Sequence, residues 1–234
     1  MIRLNKYLSH LGVVSRREAD KLIEQGKVYI NNEKAYIGME VDENDYKLDI
    51  KVLGKIINTK YEPLLIAYNK RTGVICTESN KEKGVRIVDE IKKFNFNKRL
   101  FTIGRLDKDT SGLILLTNDG DYAKEMSDKS KKHEKEYIVK VDKEYDNIFL
   151  SKMSKGVFLK DLNKYTQKAK LKRISNDTFS IIIVEGLNRQ IRRMCKELGY
   201  KVLELKRIRI DDILLNDLKE NEYRKIEKFN TSFK

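Results

Sequence analysis

Residues Gly104 to Gly120 read GRLDKDTSGLILLTNDG and place a carboxylate, Asp107, in a polar turn directly before an apolar run. The run Gly112–Thr117 carries Leu and Ile on both of its faces, which predicts a strand that is buried on both sides. An acidic side chain fixed where a rigid strand meets a loop is well placed to act on a ligand. The alternative is that Asp107 and Asp109 only cap a turn, with Arg105 as their partner at the surface.

Length and charge restrict the classes of protein to which the chain can belong. Its 234 residues suffice for one domain of ordinary size and a small module. The 50 Lys and Arg against 36 Asp and Glu give a formal charge of +14, which favours a polyanionic partner such as a nucleic acid. A glycosidase using Asp107 and Asp109 as a carboxylate pair is disfavoured, because neutral glycans do not require such a charge.

The chain is poor in metal-binding and redox residues. It has two cysteines and two histidines, with no CxxC or HExxH pattern: Cys76, Cys195, His10 and His133. Neither a metal centre nor a Ser-His-Asp triad is expected. The polar N-terminus does not resemble a signal peptide, and no apolar run is long enough to span a membrane, so we expect a cytoplasmic, reduced protein.

A small module is predicted over residues 1–60. Helical spacing of apolar residues predicts a first helix over residues 3–11, and a capping-box pattern at Ser15 opens a second helix that ends at Gly26. Residues 28–30 and 35–37 are expected to form a hairpin. The helix faces opposite the predicted core carry five basic residues, which favour either RNA binding or a solvated surface: Arg3, Lys6, Arg16, Arg17 and Lys21.

The remainder, residues 61–234, is predicted to be a larger α+β domain. Strands outnumber helices and do not alternate strictly with them, which argues against a doubly wound fold. The predicted strands are 64–68, 73–77, 112–117, 136–141, 169–174, 179–184 and 202–210. The predicted helices are 86–92, 121–129, 145–155 and 189–198.

Three blocks in order resemble the motifs of the pseudouridine synthases. They are Gly104 to Gly120, Lys135 to Val141 (KEYIVKV) and Glu185 to Tyr200 (EGLNRQIRRMCKELGY). Within that family the blocks are most similar to the branch that modifies ribosomal RNA, and there to its type F large-subunit group. The first residues are similar to the RNA-binding domain named after ribosomal small-subunit protein four. The resemblance covers nearly the whole chain and implies a mixed, mostly antiparallel central sheet with a cleft across it.

The resemblance also implies roles for single residues. Asp107 matches the catalytic aspartate, Arg192 its guanidinium partner, Tyr137 the ring that stacks on the target base and Ile191 a wall of the base pocket. Arg105 is expected to contact RNA and to fill the gap left by the extruded base, while Arg193 and Lys196 remain for RNA. Turning a uracil around on its ribose involves no redox change, so no metal or cofactor is chemically required.

The segment Arg189–Leu198 is also compatible with a purely structural interpretation. Its basic residues share one helical face and its apolar residues share the other, as in any amphipathic helix that packs on a core. The chain departs from the family at Arg71, where the pattern Asn-Lys-Pro-x-Gly has its proline. Loss of that fixed φ predicts a looser loop.

We therefore expect an enzyme that converts uridine to pseudouridine in structured RNA, most simply at a large-subunit ribosomal RNA uridine. Transfer RNA stays open as a substrate, and the protein is expected to be a monomer. The alternative is a catalytically silent RNA-binding or ribosome-assembly protein. The presence of Asp107, Arg192 and Tyr137 together favours the enzyme, because a silent descendant has no need to keep all three.

Overall fold

The computed structural model describes residues 1–45, 47–79 and 82–227, and it begins with a small module of two helices and short strands. The predicted start of the second helix at Ser15 is confirmed, because the side chain of Ser15 accepts a hydrogen bond of 3.2 Å from the Glu18 backbone N–H. The elements are β1 (Ile2–Arg3), α1 (Leu4–His10), α2 (Arg16–Glu24), β2 (Val28–Ile30), β3 (Glu33–Lys34), β4 (Glu40–Val41), β5 (Ile50–Val52) and β6 (Lys55–Ile56).

The hairpin of this module is tighter than the sequence predicts. Asn31 and Asn32 both have positive φ, 49° and 66°, and form a two-residue turn that pairs β2 with β3. The predicted second strand over residues 35–37 is therefore wrong, since β3 ends at Lys34. On its other edge β2 pairs with β5, which gives a four-stranded sheet in the order β3-β2-β5-β6.

The predicted α+β class and the mixed, mostly antiparallel sheet of the larger part are confirmed. Its helices are α3 (Ile87–Lys92), α4 (Gly120–Ser127), α5 (Asn147–Lys155) and α6 (Gln190–Glu197). Its strands are β7 (Leu65–Lys70), β8 (Phe101–Ile103), β9 (Ser111–Thr117), β10 (Lys135–Val141), β11 (Phe158–Leu159), β12 (Lys164–Tyr165), β13 (Lys170–Arg173), β14 (Thr178–Ile183), β15 (Val202–Ile210), β16 (Ile213–Leu214) and β17 (Tyr223–Lys225). The main path of the large sheet runs β13-β14-β10-β15-β9-β7-β17.

Strand β9 is buried on both faces, as its sequence predicts. Leu113 and Leu115 belong to one apolar cluster, and Ile114 and Leu116 belong to another on the opposite face of the sheet. All four side chains are fully buried. The loop that carries Asp107 is therefore attached to a strand that is buried along its whole length.

The two halves of the large sheet meet where β9 runs parallel to β15. The registered pairs are Ser111 with Lys206 and Gly112 with Arg207. Gly112 has φ +103°, and a Cβ atom placed on it would lie 2.2 Å from the carbonyl oxygen of Arg207. Only glycine permits this approach of the two backbones.

Some short elements differ from the sequence-based assignment. The predicted strand over residues 73–77 is reduced to a single bridge between Ile75 and Arg86, because the chain turns at Gly73. Strand β8 was not predicted, since three residues are too few to show a periodicity.

A buried amide side chain, that of Asn118, joins the small module to the larger part. Its Nδ2 donates to the carbonyl oxygen of His10 at 2.9 Å, and its Oδ1 accepts from the Leu64 N–H at 2.8 Å. The Arg99 N–H also donates to the carbonyl oxygen of Gly12 at 2.7 Å. One apolar cluster draws its buried members from residues 2–52 and two others draw theirs from residues 65–215; the domain boundary near residue 60 stays our proposal.

No helix within the described ranges is both long enough and apolar enough to cross a membrane.

Candidate active site

The loop between β8 and β9 holds Asp107 at the edge of a cleft. Its neighbour Leu106 is buried, and the Leu106 N–H lies 3.5 Å from the buried Cys76 Sγ. The Thr110 N–H donates to the Asp107 carbonyl oxygen at 3.1 Å and closes a turn. Because Leu106 is anchored inward, the Asp107 side chain projects outward and remains 32% exposed. A carboxylate that is held on both sides yet open to solvent can reach a ligand.

The loop that follows β7 is hydrogen-bonded to the loop that carries Asp107. The Gly73 N–H donates to the Lys108 carbonyl oxygen at 2.7 Å. The fully buried Lys70 donates from Nζ to the carbonyl oxygens of Arg71 and Val74, both at 2.9 Å, and burial lowers the pKa of this amine. This lysine secures the backbone at the position where the family has proline; the looseness predicted for Arg71 stays a prediction.

Asp107 opens into a cavity of about 570 Å³, which is large enough for a nucleoside. Tyr137 on β10 and Ile191 on α6 are 8% and 3% exposed and line its apolar wall, with Leu205 on β15. The exposed Arg105 also lines the cavity. The structure thus brings Asp107, Tyr137, Ile191 and Arg105 together around one space.

The arginines beside the two loop carboxylates are arranged differently from the prediction. Arg189 donates to both carboxylate oxygens of Asp109, at 2.9 and 2.7 Å, and its Nη1 lies 3.9 Å from Oδ2 of Asp107. Arg192 donates to the carbonyl oxygens of Asp109, at 2.7 Å, and of Val202, at 3.2 Å. In the described part of the chain, the guanidinium within 4 Å of Asp107 is therefore that of Arg189, whereas Nε of Arg192 lies 3.3 Å from Oδ2 of Asp109. The role of Arg192 as the partner of Asp107 stays a prediction.

The backbone conformation of Arg189 explains why this arginine, and not Arg192, lies near Asp107. Arg189 precedes α6 with a left-handed φ of 53°, which directs its side chain back over the loop. Arg192 lies one turn further along α6, where burial lowers the pKa of its guanidinium. The hydrogen bond from Arg189, followed by the charge of Arg192, holds the pKa of the Asp109 carboxyl below its usual value.

The other basic residues singled out in the sequence are more scattered. Arg193 pairs with Asp161 and donates to the carbonyl oxygen of Asn188, while Lys196 is exposed on α6. In the small module Lys6 lies 2.7 Å from Asp121 of α4 and so bridges the two parts of the chain. Four residues are exposed there and free of such a bridge across the modules: Arg3, Arg16, Arg17 and Lys21.

Two residues of the site were missed by sequence reasoning. Gln190 is buried and accepts from the Leu187 N–H while donating to Glu185 at 2.7 Å, which fixes the loop before α6. Arg207 is buried in the cavity wall although basic residues in strands usually face solvent. Within the described residues no group of three or more His, Cys, Asp or Glu side chains is placed to hold a metal ion.

Comparison with known proteins finds the same two parts. The family model described as RNA pseudouridylate synthase matches residues 64–197, and the S4 domain model matches residues 2–45. Over 225 residues the chain is 44% identical to the dual-specificity RNA pseudouridine synthase RluF of Escherichia coli (strain K12), covering 95% of this chain and 74% of that protein. It is 37% identical over 212 residues to the ribosomal large subunit pseudouridine synthase B of Bacillus subtilis (strain 168), covering 88% and 84%. A crystal structure of a pseudouridylate synthase has a TM-score of 0.66 at 28% identity and covers 97% of this chain and 96% of its own.

Proposed function

Because this chain belongs to the RNA pseudouridylate synthase family and is an RNA pseudouridine synthase, we propose that it isomerises a uridine of large-subunit ribosomal RNA. In this proposal Asp107 is its one catalytic carboxylate, and no cofactor takes part. The Bacillus subtilis relative is named for the ribosomal large subunit, which supports this choice of RNA. The Escherichia coli relative is named dual-specificity, which supports a second kind of RNA substrate, with transfer RNA as the candidate.

The position of Asp107 is the observation that carries the proposal. It is a partly exposed carboxylate that lines a cavity together with Tyr137 and Ile191. Its loop is anchored by the buried Leu106 and by the rigid β9, so the carboxylate is held ready for a reactant. Asp109 is already bound by Arg189 through both oxygens and is less available for chemistry.

The reaction breaks the bond between N1 of uracil and C1′ of ribose and forms a bond between C5 and C1′. N1 gains a proton, C5 loses one, and the base turns in between. A carboxylate can assist by adding to C1′ or by removing a ribose proton, and both routes require Asp107 beside the sugar. The apolar wall formed by Tyr137, Ile191 and Leu205 keeps water from the separated base while it turns.

Replacement of Tyr137 tests the stacking role. A base that stacks on an aromatic ring gains roughly 1–3 kcal/mol, which offsets part of the cost of extruding the nucleotide. We expect Tyr137→Ala to lower kcat/KM by about tenfold to a hundredfold and Tyr137→Phe to retain most of it, because the ring remains. The exposed Tyr165 is the control, and Tyr165→Ala should leave kcat/KM unchanged. Equal losses in Tyr137→Phe and Tyr137→Ala would assign the effect to the hydroxyl and reject stacking.

The basic face of α2 supports docking of RNA on the small module. Arg16 and Arg17 are exposed in the first turn of α2, where the helix dipole also favours phosphate. Lys21 is exposed one turn further along the same helix.

The salt dependence of RNA binding tests this docking surface. Each phosphate contact contributes about 0.7–0.9 to the slope of log K against log salt concentration. The double variant Arg16→Gln with Arg17→Gln should therefore lower the slope by about 1.5 and weaken binding at low salt. The control replaces two exposed lysines of α5, Lys152 and Lys155, by Gln. If both double variants shift the slope equally, only net charge matters and α2 is not a docking surface.

The function itself is tested by mapping isomerised uridines. Large-subunit ribosomal RNA and transfer RNA are isolated from cells that lack this gene and are incubated with the purified chain. We expect at least one uridine of the ribosomal RNA to become pseudouridine. RNA that is bound but not isomerised in either preparation would instead support a silent RNA-binding protein.

A further inference from the structure

Two basic side chains, those of Arg207 and Lys135, line the cavity from neighbouring strands. Tyr137 of β10 and Arg207 of β15 are direct cross-strand partners, so their side chains share one face of the sheet. Lys135, two residues before Tyr137 on β10, also lines the cavity. The arrangement places an ammonium and a guanidinium beside the ring that we assign to the base.

Arg207 has an incomplete set of hydrogen bonds. Its side chain is 3% exposed, and its Nε donates to the Leu113 carbonyl oxygen at 2.7 Å. Its Nη2 is buried and has no hydrogen-bond partner among the residues that the structure describes. A buried guanidinium nitrogen without an acceptor is costly, and an anionic ligand would provide one.

Within the described residues, the carboxylate that acts on Lys135 is already bound by other groups. Its Nζ donates to the His133 carbonyl oxygen at 2.9 Å, and burial followed by the charge of Arg207 lowers the pKa of this amine. The acidic group that opposes this effect is Asp211. Both oxygens of Asp211 are already bound, one 2.6 Å from His133 Nδ1 and the other by the Glu134 N–H at 2.8 Å.

We propose that Arg207 and Lys135 form a subsite for a backbone phosphate of the nucleotide that is modified. The proposal rests on the proposed function, because it assumes that the uracil stacks on Tyr137 and that the ribose lies at Asp107. Alternate residues of a strand are about 7 Å apart, which is comparable to the span between a nucleobase and its own phosphate. A phosphodiester oxygen would satisfy the free Nη2 and relieve the repulsion between the two cations. The subsite would hold the extruded nucleotide by its backbone while the base is detached.

The test compares the binding of uridine, uridine 5′-monophosphate and uridine 3′-monophosphate to the full-length chain, by NMR titration at low ionic strength. We expect one of the two monophosphates to bind about tenfold tighter than uridine, and the tighter one identifies which phosphate is held. Lys135→Met should reduce this preference to about threefold or less. Lys140→Met is the control, because Lys140 lies on the same strand but does not line the cavity, and it should keep the preference.

Arg207→Lys is the second variant, chosen because it keeps a positive charge that can still donate a hydrogen bond to the Leu113 carbonyl oxygen. It should also lower the preference for the monophosphate, since an ammonium loses the forked donor geometry. Monophosphates that bind no tighter than uridine to the wild type would overturn the proposal. An unchanged preference in Lys135→Met would overturn it as well.

The experiments distinguish an error in the phosphate subsite from an error in the proposed function. Isomerisation of RNA by the wild type with no preference for a monophosphate would reject the subsite alone. A preference that depends on Lys135, in a chain that isomerises no uridine, would reject the proposed function and leave an anion site in place.

Discussion

Asp107→Asn should abolish isomerisation, with a fall in kcat of at least about a thousandfold, while the affinity for RNA changes by less than about twofold. The amide has nearly the same shape as the carboxylate but can neither add to C1′ nor accept a ribose proton. Binding should persist because the basic surface and the cavity wall remain. The loss is measured as pseudouridine formed per enzyme in a single turnover, with the affinity measured separately.

Asp109→Asn is the matched control for this result. Asp109 lies on the same loop, but it is held by Arg189 through two hydrogen bonds and faces Arg192. Its replacement removes the charge but leaves one oxygen to accept a hydrogen bond, so we expect a loss of roughly tenfold through poorer positioning of the loop. Should Asp109→Asn be inactive and Asp107→Asn remain active, the reactive carboxylate would be Asp109.

Gly112→Ala should destabilise the fold by about 4 kcal/mol or more, which few single substitutions do. The added Cβ would lie 2.2 Å from the carbonyl oxygen of Arg207 and 2.6 Å from its nitrogen, in a backbone with φ +103°. Neither strand can retreat, because β9 and β15 are paired on their other edges with β7 and β10. Urea unfolding followed by circular dichroism measures the loss.

Gly199→Ala separates the strain of the backbone from the clash. Gly199 also has positive φ, +84°, but a Cβ placed there meets no atom within 4 Å. It should cost only about 1–2 kcal/mol, the penalty of a left-handed conformation. Similar losses in the two variants would mean that the approach of β9 to β15 is not the cause.

Long apolar patterns allowed much of the fold to be predicted. The both-sided burial of β9 and the amphipathic character of α6 follow from six or more residues with a clear period. Strand β8 and the exact turn at Asn31 could not be predicted, because three-residue strands and local φ values have no such pattern. Their positions are decided by pairing with distant strands.

The site was predicted only in part, and the reasons are local. Resemblance of the motifs indicated Asp107, Tyr137 and Ile191, and the structure places all three around one cavity. Which arginine faces Asp107 depends on the left-handed φ of Arg189, which periodicity does not reveal. Arg207 was missed because a cation in an alternating strand is expected to face solvent.

The stretch GRLDKDTSGLILLTNDG also holds the two parts of the chain together, because it contains Asn118. The Asn118 amide binds backbone atoms on both sides of the junction, the carbonyl oxygen of His10 and the N–H of Leu64. Removal of the first sixty residues would take away the His10 acceptor and leave Nδ2 with the Glu62 carbonyl oxygen at 3.2 Å, so one of its two N–H groups would be unpaired, at a cost of about 1–3 kcal/mol if it stayed buried. The stability of the larger part is therefore coupled to the presence of the small module through this one amide.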